Sequence, residues 1–330
     1  MKPKSRPVGI IGTGSCVPSR VLTNFDLEKM VDTSDEWIRT RTGIVERRIA
    51  DPDVPTSHLA LSSAQAALES AQTEPRELDL IIVATVTPDM FFPSTASLLQ
   101  QKLGAGYAAA FDILVGCTGF VYGCAVAREM IGVGTYERAL VIGAETLSKI
   151  ADWQDRSTCV LFGDAAGAVI LASTEEGHGI LDYSLGNDGT NADALKIPAG
   201  GSLMPTSEQT VAERLHYLTM NGPEVFKFAV RAMADSSEEV VRRAGLAMTD
   251  VDVVIPHQAN LRIIDAAAKR FHLPYERFVR NLERYGNTSA ASIPLALDEA
   301  VRTGRIKRGD HVLLSSFGAG LSWASMVLRW

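Results

Sequence analysis

Residues 108–120 have the sequence Ala-Ala-Ala-Phe-Asp-Ile-Leu-Val-Gly-Cys-Thr-Gly-Phe, an apolar run that ends in small residues. A helical pattern follows at 121–131, so the stretch predicts a buried strand that turns directly into a helix. Similar apolar runs predict strands at 8–12, 80–85, 109–114, 139–143, 168–172, 251–256, 311–316 and 324–329. Helices are predicted at 57–71, 95–103, 121–131, 222–243, 261–271 and 292–303. The alternation of the two kinds of segment predicts an α/β fold.

The two halves of the chain contain a weak internal repeat. Residues 78–83 (Leu-Asp-Leu-Ile-Ile-Val) resemble residues 250–255 (Asp-Val-Asp-Val-Val-Ile). Residues 138–143 (Arg-Ala-Leu-Val-Ile-Gly) resemble residues 310–315 (Asp-His-Val-Leu-Leu-Ser) at the same offset. A constant offset between similar segments indicates duplication. We therefore predict two pseudo-duplicated halves, 1–175 and 176–330.

Size and composition exclude several classes of protein. The chain has 330 residues, 46% of them hydrophobic, and a net charge of −7, which is enough apolar content for two core units. The negative charge argues against nonspecific nucleic-acid binding, and no apolar run is long enough to cross a membrane. Residues 8–12 are too short and too rich in glycine for a secretory signal. We expect a cytoplasmic protein with no nucleic-acid or membrane partner and with four free cysteines.

Cys117 lies at the predicted junction between strand and helix. Unpaired backbone N–H groups and the helix dipole favour a thiolate at such a position. The glycines on either side, Gly116 and Gly119, leave room for a substrate to approach closely. The layout therefore suits a nucleophile that accepts an acyl group. The alternative is a small core residue, which is the commoner role of an intracellular cysteine and the one we predict for Cys124 and Cys159.

Two other segments supply polar partners for a cysteine nucleophile. His257 follows the predicted strand 251–256 and precedes a helix, so it lies at the carboxyl end of the strand, where open α/β sheets bind ligands. Asn287 lies in a glycine-led turn that enters the predicted helix 292–303. Each has an ordinary alternative, because His257 alone could be a satisfied polar residue and Asn287 alone could be a helix cap.

The sequence gives little support for a metal site or a dinucleotide-binding site. No pair of Cys or His residues has a spacing that suits zinc. The segment 12–17 (Gly-Thr-Gly-Ser-Cys-Val) lacks the third glycine of a dinucleotide motif, and Pro18 blocks the helix that should follow. We expect no metal and no resident cofactor.

Six segments of the chain together resemble one known family. They are residues 32–38 (Asp-Thr-Ser-Asp-Glu-Trp-Ile) with 40–44 (Thr-Arg-Thr-Gly-Ile), 116–120 (Gly-Cys-Thr-Gly-Phe), 162–168 (Phe-Gly-Asp-Ala-Ala-Gly-Ala), 257–264 (His-Gln-Ala-Asn-Leu-Arg-Ile-Ile), 286–292 (Gly-Asn-Thr-Ser-Ala-Ala-Ser) and 317–320 (Phe-Gly-Ala-Gly). They resemble the β-ketoacyl-acyl-carrier-protein synthase III family of the thiolase-like superfamily over nearly the whole chain. The resemblance implies a five-layered α/β/α/β/α fold and a homodimer.

The resemblance also implies a site and a reaction. The family's catalytic triad falls on Cys117, His257 and Asn287, and an oxyanion hole falls on the backbone N–H groups of Cys117 and Ala319. The implied reaction is a ping-pong decarboxylative Claisen condensation, in which a short acyl-CoA acylates the cysteine and malonyl-acyl-carrier-protein is the acceptor. CoA then takes part as a thioester substrate and not as a cofactor.

Residues near the start of the chain are candidates for binding CoA. Trp37 and Arg41 are spaced i, i+4, so an indole and a guanidinium can share a helix face and sandwich adenine. The alternative is a surface tryptophan packed on its neighbour. The resemblance implies two further CoA contacts, Arg156 at the nucleotide and Asn260 near the pantetheine.

The predicted helix after His257 is a candidate docking surface for an acidic acyl carrier protein. Arg262, Lys269 and Arg270 share one face, and an apolar face lies opposite. Three charges are often only a solvated face, but their position beside His257 on an otherwise acidic chain favours a docking surface. The predicted carrier-protein contacts also include Gln258, Ala259, Asn260, Leu261 and Lys227.

Four residues are candidates for the acyl pocket. Phe92 resembles the aromatic residue that a partner subunit inserts at the bottom of the pocket, and a large ring there implies a short primer. Phe162, Leu195 and Phe226 are further candidates for its walls.

Four other functions are alternatives for this chain. A biosynthetic thiolase needs a second cysteine in the late glycine-rich loop, but no cysteine follows Cys159. Elongating synthases use two histidines, which Asn287 argues against. A secondary-metabolism ketosynthase or acyl transferase on the same scaffold, using another acceptor, is the closer rival. A catalytically inactive binding or scaffold protein is the remaining class.

Overall fold

The fold is built from two sheets and the helices that cover them. It was obtained as a computed structural model that describes residues 6–330. The strands are β1 Val8–Cys16, β2 Val21–Thr23, β3 Glu46–Arg48, β4 Leu80–Ala84, β5 Ala109–Ile113, β6 Arg138–Thr146, β7 Asp164–Ser173, β8 Gly179–Asn187, β9 Leu195–Lys196, β10 Thr219–Met220, β11 Val253–Pro256, β12 His311–Gly318 and β13 Ser322–Arg329. The helices are α1 Asn24–Leu27, α2 Asp35–Thr42, α3 Thr56–Ala71, α4 Thr95–Leu103, α5 Gly119–Gly132, α6 Arg156–Cys159, α7 Glu208–Ala212, α8 Gly222–Arg243, α9 Leu261–Phe271, α10 Leu282–Tyr285 and α11 Ser292–Arg302.

The predicted long elements are confirmed, with ends shifted by a few residues. The helices α4, α8 and α9 have the predicted bounds, because their apolar periodicity and capping residues agree: Ser94, Asn221 and Asn260 each cap a helix N-terminus. The sequence did not predict β8. It lies at the outer edge of its sheet, and its half-buried residues lack the apolar run of the central strands.

The two sheets have the same strand order. The first is β1-β7-β6-β4-β5 and the second is β8-β13-β12-β11. In the first sheet β4 is parallel to both of its neighbours, β5 and β6, and in the second sheet β11 is parallel to β12; the remaining pairs of both sheets are antiparallel. The position of β5 is taken in the second sheet by a single parallel bridge between Val254 and Phe278. The repeat seen in the sequence is therefore a repeat of topology, and the α/β fold in two pseudo-duplicated halves is confirmed.

The elements stack in five layers. Helices α3 and α4 cover the outer face of the first sheet, α5 and α11 lie between the sheets, and α8 with α9 covers the outer face of the second. The core between the sheets joins both halves, since Val141, Ile293 and Met326 belong to one apolar cluster. The predicted boundary near residue 175 lies between β7 and β8. Residues 1–5 of the predicted first half lie outside the described residues.

Two turns and the end of β12 meet where the sheets face each other. A 3₁₀ turn at Gly116–Thr118 precedes α5, and a second at Ser289–Ala291 precedes α11. Both turns contact one another, the first also contacts the end of β12, and the second contacts β6. The duplicated connections therefore bring distant parts of the chain to one place. Among residues 6–330, no helix is long and apolar enough to cross a membrane.

Candidate active site

Cys117 occupies the predicted junction between a strand and a helix. It lies in the turn Gly116–Thr118 between β5 and α5. Thr118 holds this turn, since its hydroxyl donates to the Val115 carbonyl at 2.7 Å and lies 2.9 Å from the Ser322 hydroxyl. Cys124 and Cys159 are buried core residues as predicted, and all four cysteines are free.

The glycines around Cys117 allow close chain packing, and Gly116 also lines the cavity described below, whereas Gly119 is not among its lining residues. A Cβ on Gly116 would stand 3.1 Å from the backbone nitrogen of Ala319, and one on Gly119 would stand 2.8 Å from the Cβ of Ala84. A Cβ on Gly318 would stand 2.8 Å from the Cys117 nitrogen. The Cys117 turn and the 318–319 loop thus meet back to back, which places the backbone nitrogens of Cys117 and Ala319 close together.

The pKa of Cys117 is shifted in the opposite direction to the one that a position at a helix start favours. Burial raises the pKa of the thiol to about 12, a hydrogen bond with Ser289 lowers it, and the nearby Glu145 charge adds to the increase. Burial and the start of the helix therefore act on this pKa in opposite directions.

His257 follows β11 directly, as predicted, and is buried. Its Nδ1 lies 2.7 Å from the Ser292 hydroxyl, and its ring meets Phe317 edge-on at 5.3 Å between centroids. Burial lowers the pKa of the imidazole to about 3, so the ring is neutral near pH 7. Its Nε2 has no hydrogen-bond partner in the part of the chain that the structure describes. In the tautomer in which Ser292 donates to Nδ1, the neutral ring carries its proton on Nε2, where it can be donated to a ligand.

Asn287 is held at the start of the turn before α11. Its backbone N–H donates to the Leu161 carbonyl at 2.8 Å, and its own carbonyl accepts from Gly163 at 3.0 Å. The side-chain oxygen accepts from the backbone N–H of Ser289 at 2.9 Å. This bond uses the amide oxygen, so the NH₂ group is the donor that the side chain can offer to a ligand.

One cavity of about 730 Å³ brings these residues together. Cys117, His257 and Asn287 all line it, together with Ser289 and Ala319. The cavity thus presents a sulfur nucleophile and two neutral side-chain donors to the same space. The five residues come from both halves of the chain.

Three of the four predicted acyl-pocket residues line the cavity, namely Phe162, Leu195 and Phe226. Phe92 does not line it and is 85% exposed, whereas its neighbour Phe91 borders it. Several apolar lining residues were not predicted: Met90, Leu114, Ile197, Leu218, Met220 and Ile263. They come from irregular segments or element ends, where apolar periodicity carries little information.

Trp37 lies on α2 with Arg41 on the following turn, as their spacing predicts. The guanidinium of Arg156 is stacked over the Trp37 ring at 5.2 Å from its centroid. The side-chain NH₂ of Asn260 donates to the Arg41 carbonyl at 3.1 Å, and its oxygen caps α9 by accepting from the Arg262 N–H. These contacts join α2, α6 and the start of α9 beside the cavity.

The helix α9 has the predicted two faces. Its buried residues are Ile263, Ile264, Ala267, Ala268 and Phe271, which form the predicted apolar face. Arg262 and Lys269 are exposed, and the Arg262 guanidinium lies over the Phe226 ring at 5.7 Å. Arg270 is exposed too, but it forms ion pairs with Asp235 and Glu238 on α8.

Other predicted carrier-protein contacts differ in exposure. Lys227 is exposed, and Ala259 and Leu261 are half-buried. Gln258 is fully buried, and its amide bonds the carbonyls of Pro256 and Val279 and the N–H of Asn281. Its assignment to a docking surface is therefore wrong, because no docked protein can reach a side chain that the interior encloses.

Two polar residues beside Cys117 were not predicted to act there. Ser289 was noted only within the segment 286–292, and Glu145 was not considered. Glu145 is fully buried at the end of β6, where its carboxyl group accepts hydrogen bonds from Thr85, Val86 and Thr87. A carboxylate directly after the apolar run 139–144 was the available signal, since unpaired buried carboxylates are rare. From residue 6 onward, no cluster of three or more His, Cys, Asp or Glu residues is suited to a metal ion.

A cysteine that shares a cavity with a neutral histidine and an amide, between two repeated sheets, is the arrangement expected of thiolase-like condensing acyltransferases. Comparisons with known proteins agree. Residues 111–189 match the family model for 3-oxoacyl-[acyl-carrier-protein] synthase III, and residues 241–330 match the model for its C-terminal part.

Relatives place the chain within this class. It is 60% identical over 322 residues to a β-ketoacyl-[acyl-carrier-protein] synthase III of Caldanaerobacter subterraneus subsp. tengcongensis, with 98% of this chain and 97% of the relative covered. The crystal structure of the Aquifex aeolicus synthase III has a TM-score of 0.91 and 48% identity, covering 98% of this chain and all of the other. The priming β-ketosynthase of the R1128 polyketide pathway has a TM-score of 0.92 and 36% identity, covering 100% and 98%. The chain belongs to the β-ketoacyl-acyl-carrier-protein synthase III family.

Proposed function

We propose that the cavity catalyses a decarboxylative Claisen condensation between a short acyl-CoA and malonyl-acyl-carrier-protein, the step that initiates fatty acid biosynthesis. The observation that carries the proposal is the convergence of Cys117, His257 and Asn287 on one cavity. A nucleophile can hold the acyl group there while two donors face the carbon that attacks it. The reaction needs no resident cofactor, because the electron pair of the new bond comes from the bond to the departing carboxylate.

In the first half-reaction, the Cys117 sulfur attacks the acyl-CoA carbonyl and CoA leaves. The tetrahedral oxyanion requires donors close to the sulfur. The backbone N–H groups of Cys117 and Ala319 are the candidates, because Gly116 and Gly318 let the two loops approach each other. An acyl group of a few carbons then remains on the sulfur, against apolar walls such as Phe162 and Leu195.

In the second half-reaction, malonyl-acyl-carrier-protein loses CO₂ and the remaining enolate attacks the acyl-cysteine. Negative charge gathers on the thioester oxygen of the enolate. His257 donates to this oxygen from Nε2, and Asn287 donates from its NH₂ group. Both donors are neutral, and the low pKa of His257 keeps the imidazole in that state at physiological pH. Removal of one such donor typically costs about 10²–10³ in rate.

The CoA nucleotide is proposed to bind at Trp37 and Arg156, where an indole and a guanidinium are already stacked. Adenine has a flat face that either group can cover. Arg41 lies one turn along α2 and adds positive charge for the phosphates. Asn260 lines the cavity between this surface and Cys117, on the path of the pantetheine.

The carrier protein is proposed to dock on α9 and the start of α8. Arg262, Lys269 and Lys227 are exposed there, and none of them makes an ion pair within residues 6–330. Arg270 already has two acidic partners, so its charge is largely compensated. An acidic partner would therefore be drawn chiefly to the three unpaired cations.

A homodimer is proposed from the edge of the first sheet. The outermost strand β5 is half-buried along its length in the single chain. Large apolar residues are exposed around it: Tyr107, Leu114, Phe91 and Phe92. Exposed apolar surface beside an unpaired edge strand is typical of an interface. A second copy would cover this surface, and Phe92 is proposed to reach the partner's acyl pocket. A cytoplasmic location is proposed from the CoA substrate and the free thiols.

The rival function is a priming ketosynthase of secondary metabolism that uses another acceptor. The similarity to the R1128 priming β-ketosynthase favours this rival function. That similarity is weaker, at 36% sequence identity, than the 60% identity to the synthase III relative. The two functions differ in the acceptor and in the primer. Steady-state rates with acetyl-, isobutyryl- and longer acyl-CoA would separate the primers.

The experiment is the release of labelled CO₂ from malonyl-acyl-carrier-protein in the presence of acyl-CoA. We expect release coupled to formation of 3-oxoacyl-acyl-carrier-protein, and loss of acyl-enzyme and product in Cys117→Ser. Cys16→Ser is the matched control, since Cys16 lies at the end of β1 outside the cavity lining. Acyl transfer to a small alcohol or amine without carrier-dependent CO₂ release would favour the rival, and an acyl adduct that persists in Cys117→Ser would refute the nucleophile.

A further inference from the structure

Arg47 is a fully buried arginine that lies outside the lining of the cavity. It is the central residue of the short strand β3, between Glu46 and Arg48. Burial lowers the pKa of its guanidinium to about 10, so the group is still charged near pH 7. Among residues 6–330 it forms no ion pair, and Glu46 pairs with Arg48 instead. A buried charge without a counter-charge is costly, and such groups cluster at functional sites.

The guanidinium of Arg47 joins two distant parts of the chain. Its Nη1 donates to the Leu22 carbonyl at 3.2 Å and to Oδ1 of Asn24 at 2.9 Å. Its Nη2 donates to the Val160 carbonyl at 2.7 Å. The planar fork of an arginine can bond both sides at once, which the single ammonium of a lysine does less well.

The segment 160–163, at one end of this link, holds the backbone of Asn287 on both sides. The Asn287 N–H donates to the Leu161 carbonyl at 2.8 Å, and the Asn287 carbonyl accepts from the Gly163 N–H at 3.0 Å. Arg47 fixes the first carbonyl of the same segment. Its guanidinium is therefore one short stretch of backbone away from the amide that is proposed to face the enolate.

The stem of Arg47 packs against the same junction. A Cβ on Gly163 would stand 3.0 Å from the Arg47 Cβ, and one on Gly286 would stand 3.3 Å from it. Gly286 precedes Asn287 and has a φ of 66°, in the left-handed region that favours glycine. Both glycines therefore allow the two segments that meet at Asn287 to rest directly on the Arg47 stem.

The other end of the link leads to the proposed CoA surface. The side-chain NH₂ of Asn24 donates to Oδ1 of Asp35, the first residue of α2, at 2.9 Å. Val160 directly follows α6, which begins with Arg156. Arg47 thus lies between the two helices proposed to bind the nucleotide and the turn that carries the catalytic amide.

We propose that Arg47 is a positioning residue that holds Asn287 at the place from which its NH₂ group donates to the enolate. The inference rests on the proposed condensation and adds a residue that this step needs. Arg47 acts only through the segment 160–163, because it does not line the cavity. Without it the segment and the amide can shift together, and a misplacement of about 1 Å can cost about 10²-fold in rate.

The two half-reactions separate this role from a general effect on folding. The oxyanion of acylation is proposed to bind the backbone N–H groups of Cys117 and Ala319, and Arg47 makes no hydrogen bond to either residue. Condensation, in contrast, needs the amide of Asn287. Loss of the link should therefore slow condensation and leave acylation nearly unchanged.

The test uses Arg47→Met and Arg47→Lys, each alone and combined with Asn287→Ala. Methionine removes both the charge and the donors, whereas lysine keeps the charge without the fork. Arg305→Met is the matched control, because Arg305 also donates to two backbone carbonyls, those of Glu276 and Phe278, and burial lowers its pKa. Rapid quench with intact mass gives the acylation rate from acetyl-CoA, and labelled CO₂ release from malonyl-acyl-carrier-protein gives condensation. Thermal unfolding shows which variants are folded.

We expect condensation to fall about 10²-fold in Arg47→Met and about tenfold in Arg47→Lys, with acylation within a few-fold of wild type. In the Asn287→Ala background neither change should lower condensation further, because a donor that is absent cannot be displaced. Arg305→Met should keep both rates. If Arg47→Met does not fold, Arg47→Lys and its double variant carry the same test.

Three results would overturn the positioning role. They are wild-type condensation in a folded Arg47 variant, equal losses of acylation and condensation, and an undiminished further loss in the Asn287→Ala background. An equal loss of condensation in folded Arg305→Met would also count against it. A wild-type enzyme that forms the acyl-enzyme but releases no carrier-dependent CO₂ would instead overturn the proposed function, and this role with it.

Discussion

The amide of Asn287 allows the two half-reactions to be separated by mutation. Asn287→Ala removes the NH₂ donor proposed to face the enolate, and we expect condensation to fall by about 10²–10³, equivalent to about 2.7–4 kcal/mol. Acylation of Cys117 should stay within a few-fold of wild type, because its oxyanion is proposed to bind backbone N–H groups of Cys117 and Ala319 instead.

The side-chain oxygen of Asn287 also accepts a structural hydrogen bond, and the loss of this bond must be distinguished from the loss of the NH₂ donor. Asn287→Ala also leaves the Ser289 N–H without the acceptor that it has at 2.9 Å. An unsatisfied buried donor costs about 1–3 kcal/mol of stability. Asn287→Asp keeps a side-chain oxygen at this place, so it should unfold close to wild type. It also places a negative charge beside the enolate, so its condensation rate should fall at least as far as that of Asn287→Ala.

Two assays on the same variants check the prediction. Intact mass after mixing with acetyl-CoA gives the acylation rate, and labelled CO₂ release from malonyl-acyl-carrier-protein gives the second half-reaction. Thermal unfolding measures the structural cost. Condensation within tenfold of wild type in Asn287→Asp would refute the donor role, and parallel losses in acylation and condensation would show that the residue acts only through the shape of the site.

The remaining predictions concern packing, binding and pH. Gly318→Ala forces its Cβ to 2.8 Å from the nucleophile's backbone nitrogen, so kcat should fall by roughly tenfold or more while CoA binding is kept; an unchanged kcat would show that the loop yields. Trp37→Ala should raise KM for acyl-CoA roughly five- to hundredfold, from about 1–3 kcal/mol of lost stacking, and a loss confined to kcat would place the nucleotide elsewhere. Arg262→Ala should raise KM for malonyl-acyl-carrier-protein more than Arg270→Ala, with a loss that shrinks in high salt, because only the second arginine is already ion-paired; equal effects would argue against docking on this face. The lowered pKa of His257 means that the folded protein binds fewer protons than the unfolded chain between about pH 3 and 6.5, so stability falls as the pH drops through this range. Urea unfolding should show a shallower fall in His257→Gln, and identical slopes would contradict a buried neutral imidazole.

Much of the fold could be predicted because its signals are local. The helix α9 carries its cap at Asn260 and its apolar face in consecutive turns, and the structure has both. The edge strand β8 was missed since only one side of it pairs, with β13, and its sequence contains polar residues and glycine. Strand 138–146 was found in part, but the carboxylate near its end was not recognised as buried beside the site.

The candidate site, like the fold, could be predicted from the sequence only in part. Cys117, His257 and Asn287 were identified by their settings at element ends and by resemblance, and the structure brings them to one cavity. Burial shifts the pKa of Cys117 against the direction that the sequence setting at a helix start favours. Its pKa depends on burial and on contacts with Ser289 and Glu145, which are distant in the chain.

The order of apolar and polar residues alone predicted the alternation of strands and helices and the repeat of the two halves. It also placed Cys117 at an element junction, and the resemblance to a known family then identified it as the candidate nucleophile. These properties depend on neighbours in the chain, because periodicity and capping act over a few residues. Tertiary structure decided which groups are desolvated and which charges are paired. The charge of Arg270 is compensated by acidic residues of α8, and the side chain of Gln258 is enclosed by the interior. Both facts depend on residues that are distant in the chain and that only folding brings near.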